Sequence, residues 1–329
     1  MKKGVKRKSV KIILRTLLCL GTLIVVLFAG VFGAFTILNL GPSKTARDLF
    51  VVSMTETSMG TVFAKIYFSD EEIAQIRKDN SIETSTDEVN TNLINRENDK
   101  TAKYIVIEDI SESTFKGKMA IISDPSKVKV GVSDVFAEDA KGLKLDQLAE
   151  KYSATLAING GYFYDPEGKS KGGLPKGIVV SDGKLLYGEP NASYEIIGFD
   201  SNNIFITGTM TAQQALDRGI RDAVSFGPSL IVNGEPLNIR GTGSGLNPRT
   251  AIGQRADGAV LMLVLEGRQP SSLGATYSDL IDIMLEYGAV NAANLDGGTS
   301  SVMVYEGEYI TTCCSLYGPR EIPTCFYAE

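Results

Sequence analysis

The stretch GAVNAANLDGGTSS, residues 288–301, ends an apolar strand on a single carboxylate, Asp296, and follows it with Gly297, Gly298 and the hydroxyls of Thr299, Ser300 and Ser301. Glycines directly after a strand let backbone N–H groups approach a ligand closely, so this carboxylate lies beside a potential anion cradle. An isolated Asp-Gly pair is ordinarily no more than a turn. Here it has company. TLAINGGYFYDPEG, residues 155–168, is a second strand that breaks at Asn159, Gly160 and Gly161, and NPRTAIGQ, residues 247–254, opens a third on Arg249.

Outward from these strings, short apolar or alternating runs predict further strands at 104–110, 118–122, 128–132, 177–180, 196–199, 204–206 and 260–265. Two helices carry capping signals: Thr211 with Gln214 before a stop at Gly219, and Thr276 with Asp279 before a stop at Gly288. In the second, Tyr277, Leu280, Ile281, Met284 and Leu285 recur at helical spacing and form one core face. Strands outnumber helices, which predicts an α+β fold with a mixed β-sheet and packed helices. VSDGK (180–184) and VNGEP (232–236) read as hairpin turns. DPEG (165–168) reads as a solvated loop. GTGSG (241–245) lacks the lysine and helix of a phosphate loop and predicts a flexible loop or an active-site lid.

With 329 residues, 43% hydrophobic and 22% charged, the chain holds one sizeable core and additional segments. Residues 16–43 carry no charge, 28 positions where about 20 cross a bilayer as a helix. Seven basic residues precede them, so residues 1–43 predict a cytoplasmic tail and one transmembrane anchor, with everything beyond outside the cell. A cleaved signal peptide is the competing reading; the length of the run and its lack of a small-x-small end favour the anchor. Residues 44–100 predict a helical stalk and polar linker, with Ser69 as a cap before Asp70, Glu71 and Glu72. Residues 101–329 form the main domain.

All 39 acidic residues and 26 of the 33 basic ones follow the apolar run. A surface so acidic repels polyanions, which argues against nucleic acid as a partner and requires local cations, Arg249 and Arg268 foremost, for any phosphorylated ligand. The sequence shows no sustained heptad, and oligomeric state stays open. Cys19 lies in the span, while Cys313, Cys314 and Cys325 fit either one disulfide from Cys325 or three free thiols. The chain has no histidine, which excludes Ser-His-Asp, Cys-His and His-based zinc hydrolase chemistry within it. Acid–base work then falls to carboxylates, Tyr or Lys. No cofactor and no metal site are expected; a divalent cation requirement stays open.

AINGGYF, NPRTAIG and NLDGGTSS, in this order and at this separation, with LEGR at 265–268 between the last two, resemble the phosphodiester glycosidases from about residue 104 onward. That family usually carries a third glycine where Thr299 stands and an aspartate where Glu266 stands. The resemblance implies a hydrolase that cleaves a sugar-1-phosphodiester of a cell-surface or exopolysaccharide glycan, releasing the sugar and a phosphomonoester. A phosphomonoester leaves as a stable anion, so the reaction asks little protonation of its leaving group. On this reading Asp296 is nucleophile or base and Glu266 the second carboxylate. Arg249 and the backbone at Gly297 and Gly298 hold phosphate, and Asn159, Gly160 and Gly161 orient the sugar. Thr299, Ser300 and Ser301 line the ligand, and Arg268 binds phosphate or fixes Glu266. A reading from another class is a non-catalytic surface receptor for phosphorylated glycans, which would bind in the same pocket and need one functional carboxylate.

Overall fold

The computed structural model describes residues 2–56, 58–83, 87–95 and 104–329. Residues 84–86 and 96–100 of the expected linker, and the expected domain start at 101, lie outside the described residues.

Three sheets build the domain, and every strand pairing is antiparallel rather than mixed. In the first, β1 (Ile105–Ser111) and β2 (Lys116–Ile122) form a hairpin that joins β13 (Val260–Leu265), then β12 (Arg249–Arg255), β14 (Ala289–Leu295), β10 (Ser229–Val232) and β11 (Glu235–Pro236). The second runs β16 (Glu308–Tyr309), β15 (Met303–Tyr305), β4 (Leu156–Asn159), β17 (Thr324–Ala328) and β3 (Val128–Val132). The third runs β6 (Lys184–Tyr187), β5 (Val179–Ser181), β9 (Ile220–Ser225), β7 (Ser193–Asp200) and β8 (Phe205–Thr211). Asp182–Gly183 and Asn233–Gly234, all at positive φ, close the β5–β6 and β10–β11 hairpins as the turn chemistry predicts.

The period of two explains why the apolar runs are continuous. On β13, Val260, Met262 and Val264 enter a central core shared by all three sheets, while Leu261, Leu263 and Leu265 enter a second core under α7 (Tyr277–Glu286). Likewise Phe326 and Ala328 of β17 face the centre, and Cys325 and Tyr327 face α5 (Leu145–Lys151). The expected boxes Thr211/Gln214 and Thr276/Asp279 cap α6 (Ala212–Asp217) and α7. All four cysteines are free thiols.

At the N-terminus α1 (Lys2–Leu40) holds the one helix among the described residues that is long and apolar enough to cross a membrane. Then come α2 (Lys44–Thr55), α3 (Ser58–Ala64) and α4 (Asp70–Asp79), with Ser69 and Glu72 forming a complete capping box. These helices share a small core of Val51, Val52, Ala64, Ile73 and Ile76. They do not stand off as a stalk. Ser53 Oγ accepts from Leu246 N–H at 2.8 Å, Glu56 Oε1 from Gly245 N–H at 3.0 Å and Asn80 Oδ1 from Thr242 N–H at 3.1 Å. Ile82 bridges to Ile239, and Arg240 Nε donates to Glu83 at 2.8 Å. The GTGSG segment, expected as a flexible loop or lid, is therefore clamped beneath α2 and α4; helical periodicity gives no sign of these polar tips.

Candidate active site

β14 and β12 are neighbours, with Thr250 opposite Leu295, so the register alone brings Arg249 and Asp296 to one end of the first sheet. Beyond that end lies a cavity of ≈ 940 Å³. Five cationic side chains line it, Arg77, Lys176, Arg249, Arg268 and Arg320, with four carboxyls, Glu56, Asp165, Glu195 and Asp296. Tyr162, Phe163, Phe226 and Tyr277 supply aromatic surface. Cations in excess of acids, beside stacking faces, suit an anionic ligand with a sugar-like ring.

Asp296 keeps an edge on the cavity but is crowded by protein elsewhere, and that desolvation pushes its carboxyl up to about 6. Bonds from the Ser300 hydroxyl and Gly297 N–H, and the charge of Arg320, oppose the rise, while Asp165 adds to it. The backbone after Asp296 is turned inward. Gly297 N–H serves the Asp296 carboxylate, and Gly298 N–H donates to Pro248 O at 3.0 Å. Gly298 needs its positive φ of 64° to start the short Gly298–Ser300 turn. These two backbone N–H groups are therefore spent within the protein, and the positive groups that face the cavity are side-chain cations.

Arg249 is buried and stacked, its guanidinium 4.5 Å from the Tyr277 ring centroid. Its Nη2 donates to Gly245 O at 2.8 Å and to Glu56 Oε2 at 3.0 Å. Arg268, at φ 56°, donates through Nε and Nη2 to Asn247 Oδ1 at 3.1 and 2.6 Å rather than to Glu266, whose Oε1 accepts from Thr312 N–H. Arg320 forks onto Asp165, with Nη2–Oδ1 at 3.0 Å. Lys176 Nζ sits 4.6 Å from the Tyr162 ring centroid. Glu195 is half-buried, its pKa raised by desolvation against a bond from Ser229 N–H at 2.9 Å.

Of the residues singled out in the sequence, Asp296, Gly297, Gly298, Thr299, Ser300, Arg249 and Arg268 line the cavity together. Glu266, Asn159, Gly160, Gly161 and Ser301 stand outside its lining. Glu266 Oε1 accepts from Thr312 N–H at 2.7 Å, tying down the 312 loop. Asn159 is fully buried, with Nδ2 donating to the Asp296 carbonyl at 2.6 Å and Oδ1 accepting from Thr250 Oγ1 at 2.8 Å. Gly160 and Gly161 are held tight against Thr324 and Ser225, where a Cβ would meet Thr324 Oγ1 at 2.6 Å and Ser225 O at 2.7 Å. Asn159, Gly160 and Gly161 lie beneath the cavity and support the segments that line it. Glu56, Lys176, Glu195 and Arg320 carry no local signal in the sequence, since none falls in a strand-then-glycine string. Asp165, which also lines the cavity, has a local cue, since it directly follows the aromatic run 162–164 inside the second string. Among the described residues no group of three or more Cys, Asp or Glu converges as a metal-ligand set.

Comparison with known proteins gives a consistent picture. The profile of the family described as phosphodiester glycosidase matches residues 152–329. YomE, a prophage-derived uncharacterized protein of Bacillus subtilis, is 31% identical over 173 residues, 50% of this chain and 26% of its own length. The N-acetylglucosamine-1-phosphodiester alpha-N-acetylglucosaminidase of Bos taurus is 26% identical over 182 residues, 50% of this chain and 33% of its own. The chain thus spans a third or less of the length of these relatives. The catalytic domain of the zebrafish enzyme of that name, solved in a form auto-inhibited by its pro-peptide, superposes with a TM-score of 0.59 at 20% identity, over 71% of this chain and 86% of that one; it shares the fold.

Proposed function

Because this chain belongs to the phosphodiester glycosidase family, we propose that it hydrolyses the glycosidic bond of a sugar-1-phosphodiester in a cell-surface or exopolysaccharide glycan, anchored by residues 1–43 with its domain outside the cell. The observation that carries this reading is the convergence of Asp296 with Arg249, Arg268 and Arg320 on one cavity. In the reaction the bond between the anomeric carbon and the phosphate oxygen breaks, its electron pair leaving with the phosphomonoester. Water supplies the new oxygen at the anomeric carbon. Asp296 takes the water's proton as general base, or attacks first and is then released by water. Its raised pKa leaves it mainly ionised at neutral pH yet a better proton acceptor than an ordinary aspartate. The arginines stabilise charge as it gathers on the departing phosphate. Tyr162, Phe226 and Tyr277 offer ring faces to the sugar or its aglycone.

Glu195 is the carboxyl better situated to assist than Glu266, since it lines the cavity and is desolvated while Glu266 is spent on Thr312. The test is release of reducing sugar from a sugar-1-phosphodiester by the full chain and by Asp296→Asn. Release by the parent alone supports the reading. Binding without release by the parent across a panel of such diesters replaces it with the receptor.

A further inference from the structure

The turn that closes α3 carries three apolar side chains out to solvent: Val62 is 67% exposed, Phe63 47% and Ile66 60%. The next residue, Tyr67, fixes their level relative to α1. Its ring lies 6.4 Å from that of Phe32, and its hydroxyl hydrogen-bonds Thr36 Oγ1 at 3.1 Å. Phe32 is about two turns below the end of α1, on the order of 12 Å down its axis. Arg15 is the last charge before the apolar run, and about 20 residues beyond it, near Phe35, the helix has spanned a hydrocarbon core. The exposed Val62, Phe63 and Ile66 therefore lie level with the outer edge of the bilayer and continuous with the span.

The same segment builds a wall of the cavity. Val52 and Thr55 come from α2, a helix of 12 residues, and Glu56 is its C-cap, so Glu56 is roughly 18 Å from the start of that helix. The junction leaves little slack. Phe35 stacks edge-on against Phe50 with centroids 5.3 Å apart, and Ser43 caps α2 only three residues after α1 ends. The cavity is thus joined to the span by packed helices, with no extended tether between them.

We propose that Val62, Phe63 and Ile66 enter the outer leaflet beside α1, and that this second contact holds the cavity against the membrane so that its substrate is a sugar-1-phosphodiester carried by a membrane lipid. The substrate half rests on the glycosidase reading; the bilayer contact does not.

The chain contains no tryptophan, so Phe63→Trp installs a single reporter at an exposed site outside the cavity. In full-length protein reconstituted in phosphatidylcholine vesicles, its emission should fall about twofold or more when the acyl chains are brominated near the headgroup. Equal emission in brominated and plain vesicles overturns the bilayer contact. For the substrate half, the triple variant Val62→Asp, Phe63→Asp, Ile66→Asp is compared with the parent on a lipid-linked sugar phosphodiester in the same vesicles and on its soluble, short-chain counterpart. The expected result is a roughly tenfold loss of preference for the lipid-linked form, with soluble turnover retained. An unchanged preference overturns membrane-held substrate delivery. Quenching without cleavage of either substrate by the parent leaves the bilayer contact standing and removes the glycosidase reading.

Discussion

Glu56, at the C-cap of α2, accepts a 3.0 Å hydrogen bond from Nη2 of Arg249, which opens β12 across the cavity. A carboxylate from one segment thus occupies the cation that another segment offers to an anion. Neutralising it with Glu56→Gln should tighten binding of inorganic phosphate about three- to tenfold, the scale of one partly exposed charge pair. Calorimetric titration checks this. Affinity equal to or below that of the parent would separate Arg249 from the anion site.

Arg249→Lys should lose far more than its retained charge suggests. The guanidinium stacks on Tyr277 and reaches Gly245, Glu56 and Ala275 from one planar fork, which an ammonium cannot reproduce. We expect kcat/KM to fall on the order of a hundredfold, about 2.7 kcal/mol of transition-state stabilisation. Turnover equal to the parent's removes Arg249 from phosphate recognition.

Asp296→Asn should reduce turnover on the order of a thousandfold or more, since the amide keeps the shape and loses both basicity and nucleophilicity. In the parent, kcat/KM should drop as pH falls through about 6, where Asp296 takes up its proton. Stability should move the other way. The folded carboxyl holds its proton to about 6 against an ordinary value of 3.8, so protonation favours folding, and that contribution is lost as pH rises between the two. The asparagine variant should therefore be more stable than the parent at pH 7 by roughly 1–3 kcal/mol, with no such gain at pH 3.5. Denaturant melts at the two pH values test this, and a variant destabilised at pH 7 contradicts the desolvation argument.

Asn159→Ala should lower kcat more than it changes KM. Its amide holds the Asp296 carbonyl without lining the cavity, so its loss shifts the carboxylate and leaves the binding surface in place. Stability should drop roughly 1–3 kcal/mol as Thr250 Oγ1 and the Asp296 carbonyl lose a buried partner. A pure KM effect would instead place Asn159 against the sugar.

Arg320→Gln should raise the apparent pKa of the acid limb in the pH–rate profile above that of the parent, because the Arg320 charge helps keep Asp296 ionised. A limb that stays put, or moves down, dissociates the two groups.

Local signals were legible and distant ones were not. The boxes at Thr211 and Thr276 and the cap at Ser69 form as the sequence predicts, because a cap and its partner three residues on share one turn. The hairpins at Asp182–Gly183 and Asn233–Gly234 follow from φ alone. The strand-then-glycine strings mark the chain's path to the cavity, yet Asn159 and Gly161 serve it from beneath, a distinction that depends on packing against Thr324 and Ser225. Glu56 meets Arg249 across 193 positions and Arg320 meets Asp165 across 155, with no periodicity to announce either. Glu266 accepts from Thr312 N–H, 46 positions away, while its own N–H donates to Lys116 O, contacts that no spacing reveals.

The place of β17 has a consequence for how the molecule is made. It lies between β3 and β4, so these two early strands never pair with each other and each presents an open edge until residues 324–328 arrive. Gly161 N–H waits for Thr324 Oγ1, 163 positions later, before the loop under Asp296 closes. A nascent chain would hold a half-built floor beneath Asp296 over those 163 positions, slow to mature by its non-local topology and open to edge-to-edge association meanwhile. Maturation is thus gated by a strand that arrives late, and a ribosome stalled before Thr324 would leave a chain with an unfinished floor beneath Asp296.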